Sequence, residues 1–182
     1  MIPVIAAFIV SAAAIYIASA FRCGRDPVFA VPAYRVPFLL LSVTWGLPMT
    51  LIGALSALLL LISGHKPKIF GCCVLFELPK ISFGLSLGIF IIAPEGDIPV
   101  KEHEHGHSIQ NIYFGPFMPF CVGIPSVVRY WYRKIKAKTK KPCKTTYDHV
   151  WYEGSATESG SAFINKFRNK EIKRNEQKNA RR

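Results

Sequence analysis

The sequence predicts a mainly α protein with a small β component (α+β). It would have two or three transmembrane helices and a small metal-binding unit, with a short β-hairpin before its metal helix. Three observations carry this. Long apolar runs fill much of the first half of a 182-residue chain, and about 20 apolar residues suffice to cross a bilayer as a helix. The net charge of +12 is concentrated in the second half. Between the two, His103-Glu104-His105-Gly106-His107 satisfies H-E-x-x-H.

Ile2 to Phe21 is an apolar run of membrane-crossing length, stopped by Arg22 and Arg25. A cleaved signal peptide competes, because Ala18-Ser19-Ala20 has the character of a cleavage site, but the run lacks a basic leader and a retained helix is preferred. Arg22 to Pro37 carries three prolines and three arginines and reads as a loop. Phe38 to Ser63 is the second expected membrane helix, kinked at Gly46-Leu47-Pro48.

Ile69 to Ala93 is long enough to cross a third time. It also divides at Pro79-Lys80 into two runs rich in strand formers, and a hairpin of these is preferred. Glu77 and Lys80 read as a local ion pair or turn residues. Asp97 is a candidate N-cap, and Pro99 fits a first helical turn. The helix that follows, about Ile98 to Tyr113, should end at Gly115-Pro116.

Phe117 to Tyr132 is apolar and aromatic but contains Pro119 and Pro125. Arg129 to Lys144 then holds eight basic residues and no acid. Tyr147 to Phe167 reads as a helix, and the polar tail as disordered or as a frayed helix. The expected organisation is a membrane region at 1–64 (helices about 2–21 and 38–63), a metal-binding catalytic domain at 65–165, and a basic tail at 166–182.

Five cysteines at irregular spacing argue against a disulfide scaffold or a thiolate zinc site, and read as small apolar residues. No nucleic-acid motif accompanies the positive charge.

On a helix, His103 and His107 project from one face, one turn apart. Two neutral imidazoles so placed can grip one Zn²⁺, while Glu104, on the adjoining face, reaches a metal-bound water. His105 points away and reads as a surface histidine. A catalytic zinc wants a third protein ligand, and Asp148, His149, Glu153 and Glu158 are the downstream candidates. Ala156 and Thr157 share the helical face of Glu153, and small residues there allow close approach to the histidine helix.

With these residues in view, roughly Gly84 to Phe163 resembles the gluzincin group of zinc metallopeptidases. There, H-E-x-x-H is followed by a glutamate on a second helix in an E-x-x-A-like setting. The resemblance implies a zincin-like unit with His103, His107 and Glu153 as zinc ligands and Glu104 as general base. It implies a peptide or protein substrate whose backbone pairs with the strand before the metal helix, here Gly84 to Ile89. The aspartate that often follows the family's alanine is replaced by Thr157, so orienting a ligand histidine would pass to Asp148, Gln110 or Asn111. Tyr147, His149 and Tyr152 are candidates to stabilise an oxyanion. The metzincin continuation after His107 is absent. A site-2-type intramembrane protease would need a downstream aspartate ligand, for which only Asp148 is available.

A site joining the two histidines to Glu153 requires all three on one side of the membrane. Phe114 to Tyr132 should therefore be re-entrant, interfacial or packed within the domain. Arg129-Tyr130-Trp131-Tyr132-Arg133 has an interfacial composition suited to anionic headgroups. The basic excess places the catalytic side and C-terminus in the cytoplasm, at a plasma membrane. The three arginines of the first loop would then face outside, unless a third crossing exists. The rival expectation is a non-enzymatic membrane protein that binds metal or anionic lipid through His103, His105, His107 and the basic run.

Overall fold

The described residues build a mostly helical chain with one four-stranded sheet. The structure, a computed structural model, describes residues 32–139, 143 and 145–179 and positions 3, 6, 7 and 10. Side chains are described for those four positions and for 36–139, 143 and 145–166. The first expected membrane helix, about 2–21, lies outside the described residues, those four positions apart.

Helix α1 is Pro32–Val43 and α2 is Leu47–Ile62. Helix is thus already present at Pro32, inside the expected loop. The expected continuous helix over 38–63 is broken. At Thr44–Gly46 the axis turns by 98°, because Pro48 brings no N–H to the next turn. The Thr50 hydroxyl donates to the Ser42 carbonyl at 2.8 Å, which the break leaves without its usual partner, and is 3.1 Å from that of Gly46. Among the described residues no single helix is long and apolar enough to cross a membrane.

Residues 69–93 form a sheet, so the alternative of a third membrane helix fails there. The expected single hairpin is also corrected, because each run is a hairpin by itself. β1 (Lys68–Phe70) pairs antiparallel with β2 (Cys73–Leu78), and β3 (Leu85–Leu87) pairs antiparallel with β4 (Phe90–Pro94). Gly71 at φ 60° and Gly88 at φ 66° supply the left-handed turn positions. The two hairpins join through parallel β2 and β4, with Val74 opposite Phe90 and Leu78 opposite Pro94. Sheet order is β1-β2-β4-β3. β2 is therefore central and covered on both faces, which is why Cys73 to Phe76 is unbroken apolar sequence. Fully burying Phe76 and Phe90 contributes about 1.5–3 kcal/mol each.

Glu77, at the end of β2, does not pair with Lys80. Its carboxylate bridges Lys68 across the hairpin and Lys101 on the next helix.

That helix, α3 (Ile98–Phe114), follows expectation closely. Asp97 caps it by accepting from the Val100 N–H at 3.2 Å, Pro99 lies in its first turn, and Gly115 at φ 53° ends it. A short 3₁₀ turn (Gly115–Phe117) and a π-helical turn (Pro119–Gly123) lead to α4, Ile124–Lys138. The chain bends by 119° between α3 and α4. After a 3₁₀ turn at Tyr147–His149, α5 runs from Trp151 to Asn179. It carries helix well into the tail that composition marked as disordered or frayed.

One core crosses the expected boundary at residue 64. Phe38 of α1 and Ala54 and Ala57 of α2 pack with the sheet and with Ile164 of α5. Helices α3 and α5 meet almost backbone to backbone. A Cβ on Gly106 would stand 1.9 Å from the Ala156 carbonyl oxygen, and one on Gly160 1.9 Å from that of Glu102.

Candidate metal centre

Helix α3 buries Lys101, Glu104, His105, His107, Ser108, Gln110 and Asn111. A polar helix inside a protein is costly unless its groups are paired, since an unmatched buried donor or acceptor costs about 1–3 kcal/mol. Most of these side chains do find partners. The close α3–α5 contact sets the geometry of the pairing.

Three ligand-type atoms converge in this contact. His103 Nε2 is 3.1 Å and His107 Nε2 3.2 Å from Glu153 Oε2, and the two ring nitrogens are 3.1 Å apart. Ligands held at about 2.0–2.2 Å by one tetrahedral zinc stand about 3.3–3.6 Å from each other. The triangle is already near that size.

The partners behind the rings fix what the front nitrogens offer. Gln110 Nε2 donates to the Tyr152 carbonyl and to Ser155 Oγ, both at 2.7 Å. Its amide oxygen therefore faces His107 Nδ1 at 2.8 Å and can only accept, so Nδ1 carries the proton. Thr157 Oγ1 donates to Asp148 Oδ1 at 3.1 Å, which leaves its lone pair to accept from His103 Nδ1 at 2.8 Å. Each neutral imidazole then presents an Nε2 lone pair to a carboxylate oxygen. Three acceptors at van der Waals range repel one another unless a cation lies among them. Glu153 is fully buried, and its Oε1 has no hydrogen-bond partner. Donor set, tautomers and the orphaned oxygen all fit a bound metal ion, and these three residues are able to hold one.

The charges agree. Burial works against the ionised Glu153 carboxyl, but His103 and His107 outweigh it and hold the group well below the usual carboxylate range. Burial likewise opposes protonation of His107, yet Glu153 and Glu104 raise its pKa.

Beside the triad lies a cavity of about 600 Å³ whose wall includes His103, Glu104, His107 and Tyr147. Burial raises the Glu104 pKa against the opposing pull of His107 and His103, which makes it a stronger proton acceptor. Its carboxylate packs over Gly84, where a Cβ would stand 2.4 Å from Oε1. Tyr147 reaches Ser126 Oγ at 3.5 Å, and its ring centroid is 6.0 Å from that of His103. Burial pushes its hydroxyl up to about 12, so it remains a hydrogen-bond donor at neutral pH.

Other candidates lie elsewhere. His105 is no surface residue: it is fully buried, stacked on Phe163 and Phe38, and accepts the Cys72 N–H at Nε2. An i, i+2 offset takes it off the metal face, and that opposite face is the one turned into the core. Asn111 donates to the Gly46 carbonyl at 3.3 Å and so ties α3 to the break between α1 and α2. Tyr152 packs its ring with Met49 and Met118 and serves Gln110 through its backbone. His149 is exposed. Cys72 and Cys73 are buried, and burial pushes the Cys73 thiol up.

Comparison with models of known protein families, with characterised proteins and with solved structures finds no match to this chain. The site rests on its own geometry. Sequence reasoning missed Thr157 as a partner of His103 and took it only as a substitution in the family pattern. Its place at i+4 from Glu153, on the ligand face, was the available signal.

Proposed function

We propose that this chain is an integral membrane zinc-dependent metallopeptidase. The observation that carries the reading is the convergence of His103, His107 and Glu153, with Glu104 and Tyr147 on the adjoining cavity wall. When bound, zinc polarises the scissile carbonyl and lowers the pKa of a water to about 7. Glu104 takes the proton from the attacking water and passes it to the leaving amine as the C–N bond breaks. The Tyr147 hydroxyl donates to the carbonyl oxygen as negative charge grows there. Gly84 to Leu87 line the cavity, and β3 is an edge strand of the sheet. That edge suits a peptide or protein substrate bound by backbone pairing.

The membrane assignment draws on the apolar run at 2–21 and on the bent helix pair 36–62, whose length and composition suit a bilayer. The basic second half favours a cytoplasmic catalytic side against the anionic headgroups of the plasma membrane.

The test is Glu104→Gln in purified, reconstituted protein. Zinc should stay at one per chain while peptide hydrolysis falls by about 10²–10⁴. Undiminished hydrolysis with zinc retained would remove Glu104 as the base. Metal binding with no hydrolysis in the parent protein would favour a non-enzymatic metal- or lipid-binding protein.

A further inference from the structure

Helix α4 is amphipathic with its faces reversed relative to a water-soluble domain. Ile124, Val127, Val128, Trp131 and Ile135 follow i, i+3, i+4, i+7, i+11 spacing and are all at least half exposed. The opposite face turns Arg129 and Arg133 inward. Arg129 donates to the Thr146 and Tyr147 carbonyls at 3.0 Å, and Arg133 to that of Thr145 at 2.8 Å. The π-helical turn before α4 adds Phe120, 68% exposed. An apolar stripe turned outward, with cations beside it, is the pattern of a helix lying in a membrane interface.

Charge names the surface that covers it. No aspartate or glutamate lies between Glu104 and Asp148. Lys134 stands over the Trp131 ring at 5.1 Å and Lys136 over Tyr132 at 4.9 Å. Aromatic rings paired with ammonium groups suit the headgroup layer of an anionic bilayer.

The stripe is continuous with the candidate active site. Val127, Val128 and Trp131 belong both to the outer surface and to the cavity wall, where they join Leu87, Met118 and Val122. The cavity that ends at His103 and Glu104 therefore opens along the face that meets lipid.

The geometry points to a lateral entrance: the substrate is a membrane-bound polypeptide that enters from the bilayer along α4 and seats apolar side chains against Met118, Val122 and Val127. Calling the occupant a substrate rests on the peptidase reading; the lipid-facing entrance does not.

The test uses full-length Glu104→Gln protein in vesicles of phosphatidylcholine and phosphatidylglycerol. Two peptides share one leucine-rich core bearing photo-leucine; one has a palmitoyl anchor and the other is free in solution. The anchored peptide should label Met118, Val127 or Val128 at least tenfold more than the free one. Equal labelling by the free peptide, or no labelling of these residues, overturns the entrance. A benzophenone amino acid at position 135 should form lipid adducts, and adducts with a second copy of the chain would overturn it too. Parallel assays with the unmutated, zinc-loaded protein separate the two readings. Preferential labelling without hydrolysis of either peptide keeps the entrance and removes the peptidase. Hydrolysis with equal labelling keeps the peptidase and removes the entrance.

Discussion

His103 Nε2 faces His107 Nε2 at 3.1 Å, and each ring's other nitrogen is held from behind by an oxygen at 2.8 Å. The oxygens belong to Thr157 and Gln110, and they orient both rings with their lone pairs toward Glu153. Such supporting bonds typically contribute 10–100-fold to metal affinity. Thr157→Val and Gln110→Leu should each weaken zinc binding by about that factor, read by competition with a chromophoric chelator, and Thr157→Ser should restore it. Unchanged affinity in both variants would mean that the rings are oriented by something else.

Gly84 gives Glu104 its room. A methyl group there would come within 2.4 Å of Oε1, and the carboxylate would have to move. Gly84→Ala should keep one zinc per chain while kcat falls at least about tenfold, because general-base catalysis depends on reach. Steady-state kinetics beside metal analysis separates the two effects. Loss of zinc, or an unchanged kcat, would contradict this placement of Glu104.

Gly106 sets how closely α3 approaches α5. An alanine methyl would stand 1.9 Å from the Ala156 carbonyl oxygen, which is backbone and cannot swing aside. Gly106→Ala should destabilise the fold by about 3 kcal/mol, and it should cost zinc binding because Glu153 is carried away with α5. Thermal unfolding with and without chelator measures both. A variant as stable as the parent would show that the helices are not so tightly apposed.

His105 makes stability depend on pH. Its ring is fully buried, and burial pushes its pKa down to about 3, whereas the unfolded ring titrates near its ordinary value of about 6.5. Between these values only the unfolded chain binds the proton. Stability is therefore full above about pH 6.5 and declines as pH falls toward 3, by on the order of 5 kcal/mol. His105→Phe should flatten this acid limb in metal-free protein, followed by chemical unfolding at several pH values. Identical limbs in parent and variant would show that the ring titrates normally.

Within the described residues, what was legible in the sequence was local. Asp97, Pro99 and Gly115 bound the metal helix because caps and breakers act within one turn. The His103–His107 spacing fixed a shared face because it is one helical turn. Pro48 marked the break in the second apolar run, although it could not state a 98° turn. Glu153 stood out among four candidates through its small neighbours, Ala156 and Thr157.

Only the tertiary structure decided the rest, because it depends on residues far apart in the chain meeting in space. Parallel pairing of Val74 with Phe90 turned an expected hairpin into two. Packing of Phe38, Phe70 and Phe163 around His105 moved a polar residue into the core. Thr157 became a partner of His103 across 54 positions of chain. Helix α4 has an apolar and a basic face by sequence alone, but which of them turns outward was settled by where the carbonyls of Thr145, Thr146 and Tyr147 came to lie. Periodicity records that a helix has two faces; only the surrounding chain determines which one is covered.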